Sequence, residues 1–166
     1  MKLADRHDIP SIQETFDQSI RFAREVSFTD WPYPYPEELL VEYIESSKLY
    51  CFESDLGIDA ALVLSEVADE RIWQERDNDT YLYIGKLATA DHVRGTRFTS
   101  RVVIPEVCEL ASKLGKRGLR LDCLAATPLL GQYYDSIGFT DMGDVTIFSR
   151  TNQHTIDLQR KQMNLA

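Results

Sequence analysis

The chain lacks the features that would take it to a membrane, a nucleic acid or an oxidising compartment. No apolar run approaches the length that spans a bilayer, and no N-terminal segment has the form of a secretory signal. Basic residues are outnumbered, 18 against 27 acidic, for a net charge of −9. Binding to a phosphate backbone relies on Lys and Arg, so this balance argues against a nucleic-acid partner. Three cysteines (Cys51, Cys108 and Cys123) show no paired spacing and fall in apolar stretches, as small buried hydrophobes do. A reducing cytoplasm suits them. There is no internal repeat, linker, Cys-x-x-Cys, Walker-type phosphate loop or nucleophile elbow. His7, His92 and His154 lie too far apart for ligand spacing, so they read as surface residues and no metal is expected.

What is present suits one domain, 1–166, with an ordinary core: 43% of the residues are hydrophobic. The acidic surface slightly favours an amine substrate and serves solubility in any case. Ile9, Ile12, Phe16, Ile20 and Ala23 at helical spacing predict a helix from Asp8, its cap, to Arg24. A proline-rich stretch from Asp30 leads to a second helix, opened by Pro36 and ending near Ser46. The aromatic run Trp31, Tyr33 and Tyr35 either lines an acceptor pocket or packs this connection on the core. Strands are expected at 48–53, 59–66, 80–88 and 118–124, with a closing pair at 144–149 and 155–163. Ile72 and Trp73 should anchor the polar loop 68–79. A third helix ends near Gly115, with Pro105 kinking it or marking a late start. A short fourth follows Pro128 and stops at Gly138. This order, with one strand–helix–strand crossover, predicts an α/β fold: a mixed central sheet with helices on both faces.

The chemistry concentrates between Tyr81 and Asp144. The loop His92-Val93-Arg94-Gly95-Thr96-Arg97-Phe98-Thr99 joins positive charge, hydroxyls and one glycine immediately before a helix. A pyrophosphate could dock there on free N–H groups at the positive end of the helix dipole. The same residues also read as a helix start with two solvated arginines.

Tyr83-Ile84-Gly85-Lys86-Leu87-Ala88-Thr89, then Arg94-Gly95, then Leu119-Arg120-Leu121-Asp122-Cys123, then Tyr133-Tyr134 with Gly138-Phe139 follow at consistent spacings. This order resembles the GNAT superfamily of N-acetyltransferases over nearly the whole chain, including the Trp31-Pro32 region. There, a strand ending Leu-Ala-Val precedes an Arg-Gly-x-Gly-x-Gly/Ala loop, and Tyr-x-x-x-Gly-Phe follows the next strand. Three positions depart from the pattern. Arg97 stands where the loop has its second glycine, Thr99 where it has Gly or Ala, and Thr127 where many members carry an asparagine that helps hold the pantetheine arm. Arg97 would either crowd the pyrophosphate or add a contact of its own.

The resemblance implies an acyl-CoA-binding fold and an acetyl-CoA-dependent N-acetyltransferase acting on a primary amine, of a small molecule or a peptide. It assigns donor binding to Leu87, Ala88, Thr89, Arg94, Gly95, Thr96, Arg97, Phe98, Thr99 and Thr127. The pantetheine would bond the backbone at Leu87 and Thr89, and an N–H near Leu87 or Ala88 would polarise the thioester carbonyl. Tyr134 matches the tyrosine that protonates the departing thiolate; alternatively it is a core tyrosine, like Tyr133. The base is Glu66, Asp122 or water. A homodimer is compatible with the chain. The rival readings are a non-catalytic acyl-CoA-binding or regulatory domain with a drifted loop, and an interaction protein without coenzyme A.

Overall fold

In the computed structural model, residues 1–149 and 153–166 are described. The strands are β1 (Lys2–Leu3), β2 (Leu49–Ser54), β3 (Gly57–Ser65), β4 (Tyr81–Thr89), β5 (Gly118–Leu124), β6 (Thr140–Ser149) and β7 (His154–Asn164). The helices are α1 (Ile9–Val26), α2 (Glu37–Glu45), α3 (Ile104–Lys113) and α4 (Pro128–Ser136). The strands form a seven-stranded sheet in the order β1-β2-β3-β4-β5-β7-β6. It is mixed, as expected: β4 and β5 run parallel, while β1–β2, β2–β3, β5–β7 and β6–β7 are antiparallel. The chain divides into two compact units, 1–64 with 85–106 and 65–84 with 107–166.

In the first unit, α1 turns Ile9, Ile12, Phe16 and Ile20 inward against Leu49, Cys51, Ile58, Ala61, Val63 and Ala88. This is the apolar stripe that its spacing dictated. Asp8 does not cap α1, however. Asp5 accepts from His7 N at 2.7 Å and Asp8 accepts from Asp5 N at 3.0 Å, so a capping box closes the 3-10 turn Arg6–Asp8. The proline-rich segment is pinned by α1: Tyr35 donates its N–H to Asp17 at 2.7 Å, and Gln13 donates to the Tyr35 carbonyl at 2.7 Å. Phe16 then packs 4.4 Å from the Tyr35 ring and 5.4 Å from that of Trp31. Gly57 closes the β2–β3 turn at φ +111°, a conformation costly to a residue with a Cβ.

The sequence allows a kink or a late start at Pro105, and α3 begins at Ile104, directly before it. A π turn, Thr99–Val103, runs directly into α3, and Ile104 N–H reaches back five residues to the Thr99 carbonyl. Proline has no N–H, and its ring clashes with the carbonyl four residues earlier. Widening the turn before Pro105 relieves both constraints.

The second unit is built around a buried cation. Arg120, only 1% exposed, lies 3.8 Å from the Tyr81 ring centroid and 4.9 Å from that of Trp73. Its guanidinium donates to Asp77 at 3.0 Å, Asn78 at 2.9 Å, Gln162 at 2.9 Å and the Tyr83 hydroxyl at 3.4 Å. The polar loop is therefore tied to β5 by charge as well as by Ile72 and Trp73, which pack with Tyr81, Tyr83 and Leu158.

Candidate functional site

In the first unit, Ala90 N–H bonds the Asp59 carbonyl on β3 at 2.9 Å. Backbone groups alternate between the edges of a strand, so Ala88 uses the β3 edge, while Leu87 and Thr89 use the other. Both backbone groups of Thr89 are engaged. Its N–H donates to Ser19 Oγ at 2.8 Å, and its carbonyl accepts from Ser19 Oγ at 2.9 Å and from Arg94 Nη2 at 3.1 Å. Of the two positions expected to hold a pantetheine arm, Leu87 is the one without such a clasp.

Past β4 the chain makes a short turn, Asp91–Val93, and enters the loop. Arg94 folds back rather than reaching outward. It pairs with Asp91, bonds Thr89 O and lies 4.2 Å over the Phe22 ring. Thr96 spends both its N–H, at 3.2 Å, and its hydroxyl, at 2.6 Å, on the Val93 carbonyl. Phe98 is wedged edge-on against Phe52, with centroids 5.8 Å apart. Gly95 and Arg97 both have positive φ, +79° and +64°. Among the described residues the N–H groups of Gly95, Arg97, Phe98 and Thr99 have no backbone acceptor, and the Arg97 side chain is exposed with no partner. Residues of alternating φ sign with free N–H groups at a helix start are able to receive an anion.

His92, expected at the surface, is more than that. Its Nε2 lies 2.6 Å from Asp59 Oδ1, which also accepts from Ser54 Oγ at 2.8 Å. Asp59 is buried, and its contact fastens the turn ahead of the loop to β3. The sequence signal was there: a lone carboxylate inside the apolar run Ile58-Asp59-Ala60-Ala61 requires a partner.

In the second unit, Thr127 is buried at the head of α4 without capping it. Its hydroxyl donates to the Leu124 carbonyl at 2.8 Å. Tyr134 is 8% exposed, with Phe139 and Tyr133 edge-on at 5.5 and 5.6 Å. Burial, reinforced by Cys123 and Tyr133, pushes its phenol above the ordinary tyrosine value. Its hydroxyl bonds no described residue and is not sealed from solvent. Glu66 is exposed and paired with Lys116 at 3.0 Å. Asp122 is half-buried on β5, opposite Arg160 in register. Among the described residues no three metal-ligating side chains cluster, and no helix is long and apolar enough to cross a membrane.

No family model and no curated protein matches the sequence. Solved structures do match. An acetyltransferase of the GNAT family from Listeria monocytogenes is 20% identical with TM-score 0.74, the alignment covering 98% of this chain and 93% of that one. The fold is the GNAT fold. A ribosomal-protein-alanine N-acetyltransferase from Brucella melitensis aligns at 15% identity and TM-score 0.70, over 99% and 98% of the two chains. The Salmonella typhimurium protein yncA, solved with its cofactor acetyl-CoA, aligns at 12% identity and TM-score 0.69, over 99% and 92%.

Against the GNAT loop pattern, the departure at Arg97 changes meaning. The residue in the second glycine's place keeps a glycine's backbone: φ is +64°, in the left-handed region. Thr127 departs differently, because its hydroxyl proton is already given to Leu124.

Proposed function

We propose that the protein is an acetyl-CoA-dependent N-acetyltransferase acting on a primary amine. The observation that carries this reading is the loop: Arg97 held in the left-handed conformation, with four N–H groups unclaimed between Gly95 and Thr99. Donor groups in that arrangement fit the pyrophosphate of a coenzyme A ester, which is a substrate here. The full-length likeness to GNAT structures supports the same donor.

The residues divide the chemistry as follows. Gly95, Arg97, Phe98 and Thr99 receive phosphate oxygens, and the Arg97 guanidinium adds charge. The Leu87 N–H polarises the thioester carbonyl. The amine nitrogen attacks the carbonyl carbon and the carbon–sulfur bond breaks. The departing sulfur takes the Tyr134 proton, which solvent restores. A phenol is protonated at neutral pH, as a proton donor must be, and burial shifts this one further in that direction. An amine has an unperturbed pKa of about 10 and must shed its own proton. With Glu66 paired to Lys116, water is the simpler route for it.

Calorimetry with coenzyme A, followed by turnover over an amine panel, tests this. Binding together with turnover that falls about a hundredfold in Tyr134→Phe is expected. Binding without turnover on any amine would instead favour a non-catalytic acyl-CoA-binding domain. Absence of binding would end both readings.

A further inference from the structure

Among the described residues none hydrogen-bonds the Tyr134 hydroxyl to orient it, so the placement of the phenol depends on how α4 itself is held. That helix has little of its own to fix it. It is nine residues long, no side chain caps its start, and its first turn carries no acidic residue and its last no basic one. Helices this short are marginal alone and take their position from tertiary anchors.

Two anchors lie on β7, two residues apart and so on the same face of the strand. At Gly131, a Cβ would sit 2.0 Å from Gln159 Oε1, so the helix rests directly on the Gln159 side chain, with no side chain of its own between. Four residues on, one turn along the same face, Asp135 accepts from Lys161 Nζ at 2.7 Å. Lys161 is 1% exposed, and its ammonium reaches one further carboxylate, Asp141 on β6, at 3.1 Å. The two carboxylates are alike in solvent contact, 46% and 52% exposed, but only Asp135 adjoins Tyr134. Burying an ammonium is unfavourable unless it is paired, and such pairs serve geometry better than stability.

We infer that Lys161 is a positioning residue: through Asp135 it fixes the rotation of α4 and so the placement of the Tyr134 phenol. This rests on the acid role proposed for Tyr134. Asp141 neutralises the other side of the ammonium and has no part in that placement.

The matched variants Asp135→Asn and Asp141→Asn test the inference, since each removes one charge from the same ammonium. Asp135→Asn should lower kcat about tenfold, less than the roughly hundredfold loss from a 1 Å misplacement at a reacting group. KM for acetyl-CoA should stay within about twofold of the parent. Asp141→Asn should leave both constants near the parent's, and Asp135→Glu should restore much of the loss. A second readout needs no activity: 3-fluorotyrosine placed at 134 should shift or broaden its fluorine resonance in Asp135→Asn but not in Asp141→Asn. Equal kcat losses in the two variants, or a fluorine signal indifferent to Asp135, would overturn the inference. If the parent acetylates no amine, the proposed function falls separately, and the fluorine signal alone decides whether Lys161 places Tyr134.

Discussion

The Arg97 carbonyl accepts the Arg101 N–H at 2.9 Å while Arg97 itself stands at φ +64°. One residue thus begins the helix and carries the strain of the turn into it. Left-handed backbone costs a non-glycine residue about 1–2 kcal/mol. Arg97→Gly should therefore raise stability by about 1 kcal/mol in chemical denaturation. It should also weaken coenzyme A binding about threefold by calorimetry, through loss of an exposed charge. Opposite signs are the signature. Tighter binding would mean that the guanidinium obstructs the loop.

Arg120→Met should destabilise the protein by about 3 kcal/mol, because Asp77, Asn78 and Gln162 all lose the same donor. The loss should be local as well as global. Amide exchange at Ile72 and Trp73 should accelerate more than at Ile12 or Phe16, which lie in the other unit.

Two glycines of the second unit should respond unequally to alanine. At Gly118 a Cβ would meet the Met163 carbonyl oxygen at 2.0 Å, and backbone paired between β5 and β7 cannot yield. At Gly131 the obstacle is the Gln159 side chain, which can turn away. Gly118→Ala should cost about 3 kcal/mol in urea unfolding and Gly131→Ala about 1.

Acid should act through Asp141. The Gly143 N–H and then Lys161 hold its carboxyl below the usual aspartate value. The stability it contributes is present above the unfolded pKa of about 3.9 and is lost as pH falls through the lower folded value. Asp141→Asn should flatten the acid limb of the stability profile below about pH 4. Above pH 6 the shape of the profile should be unchanged.

Much of the architecture was written locally. The stripe Ile9, Ile12, Phe16, Ile20 gave α1, and Gly118 to Leu124 is β5 as expected. Gly115, at φ +70°, ends α3 with Lys116 N–H bonding the Ala111 carbonyl at 2.9 Å. Asp8 stands at the N-cap position of α1 as expected but makes no capping bond there, because its carboxylate is taken by Lys2 and by the Asp5 N–H. Nothing in the local sequence marks Arg120 and Lys161 as buried. They are buried because partners such as Asp77, 43 residues away, neutralise them, and no local window contains that fact. Asp59 shows by its apolar company that it needs a partner, but that the partner is His92, 33 residues away, is hidden in the same way. The loop was recognisable by order and spacing, but the φ of Arg97 was not, since the side chain alone argues against it.

The wide turn at Thr99–Val103 is in effect an ordinary helical turn holding one surplus residue. Each residue advances a helix by about 100°. That surplus therefore sets the angular phase between the amides at the mouth of the helix and Val103, buried in the same unit. Removing one residue there would leave Val103 seated and swing the mouth by more than a quarter of a revolution. Pro105, remote from the loop Gly95–Thr99 in role, thus acts as the setting screw for the direction in which those amides face.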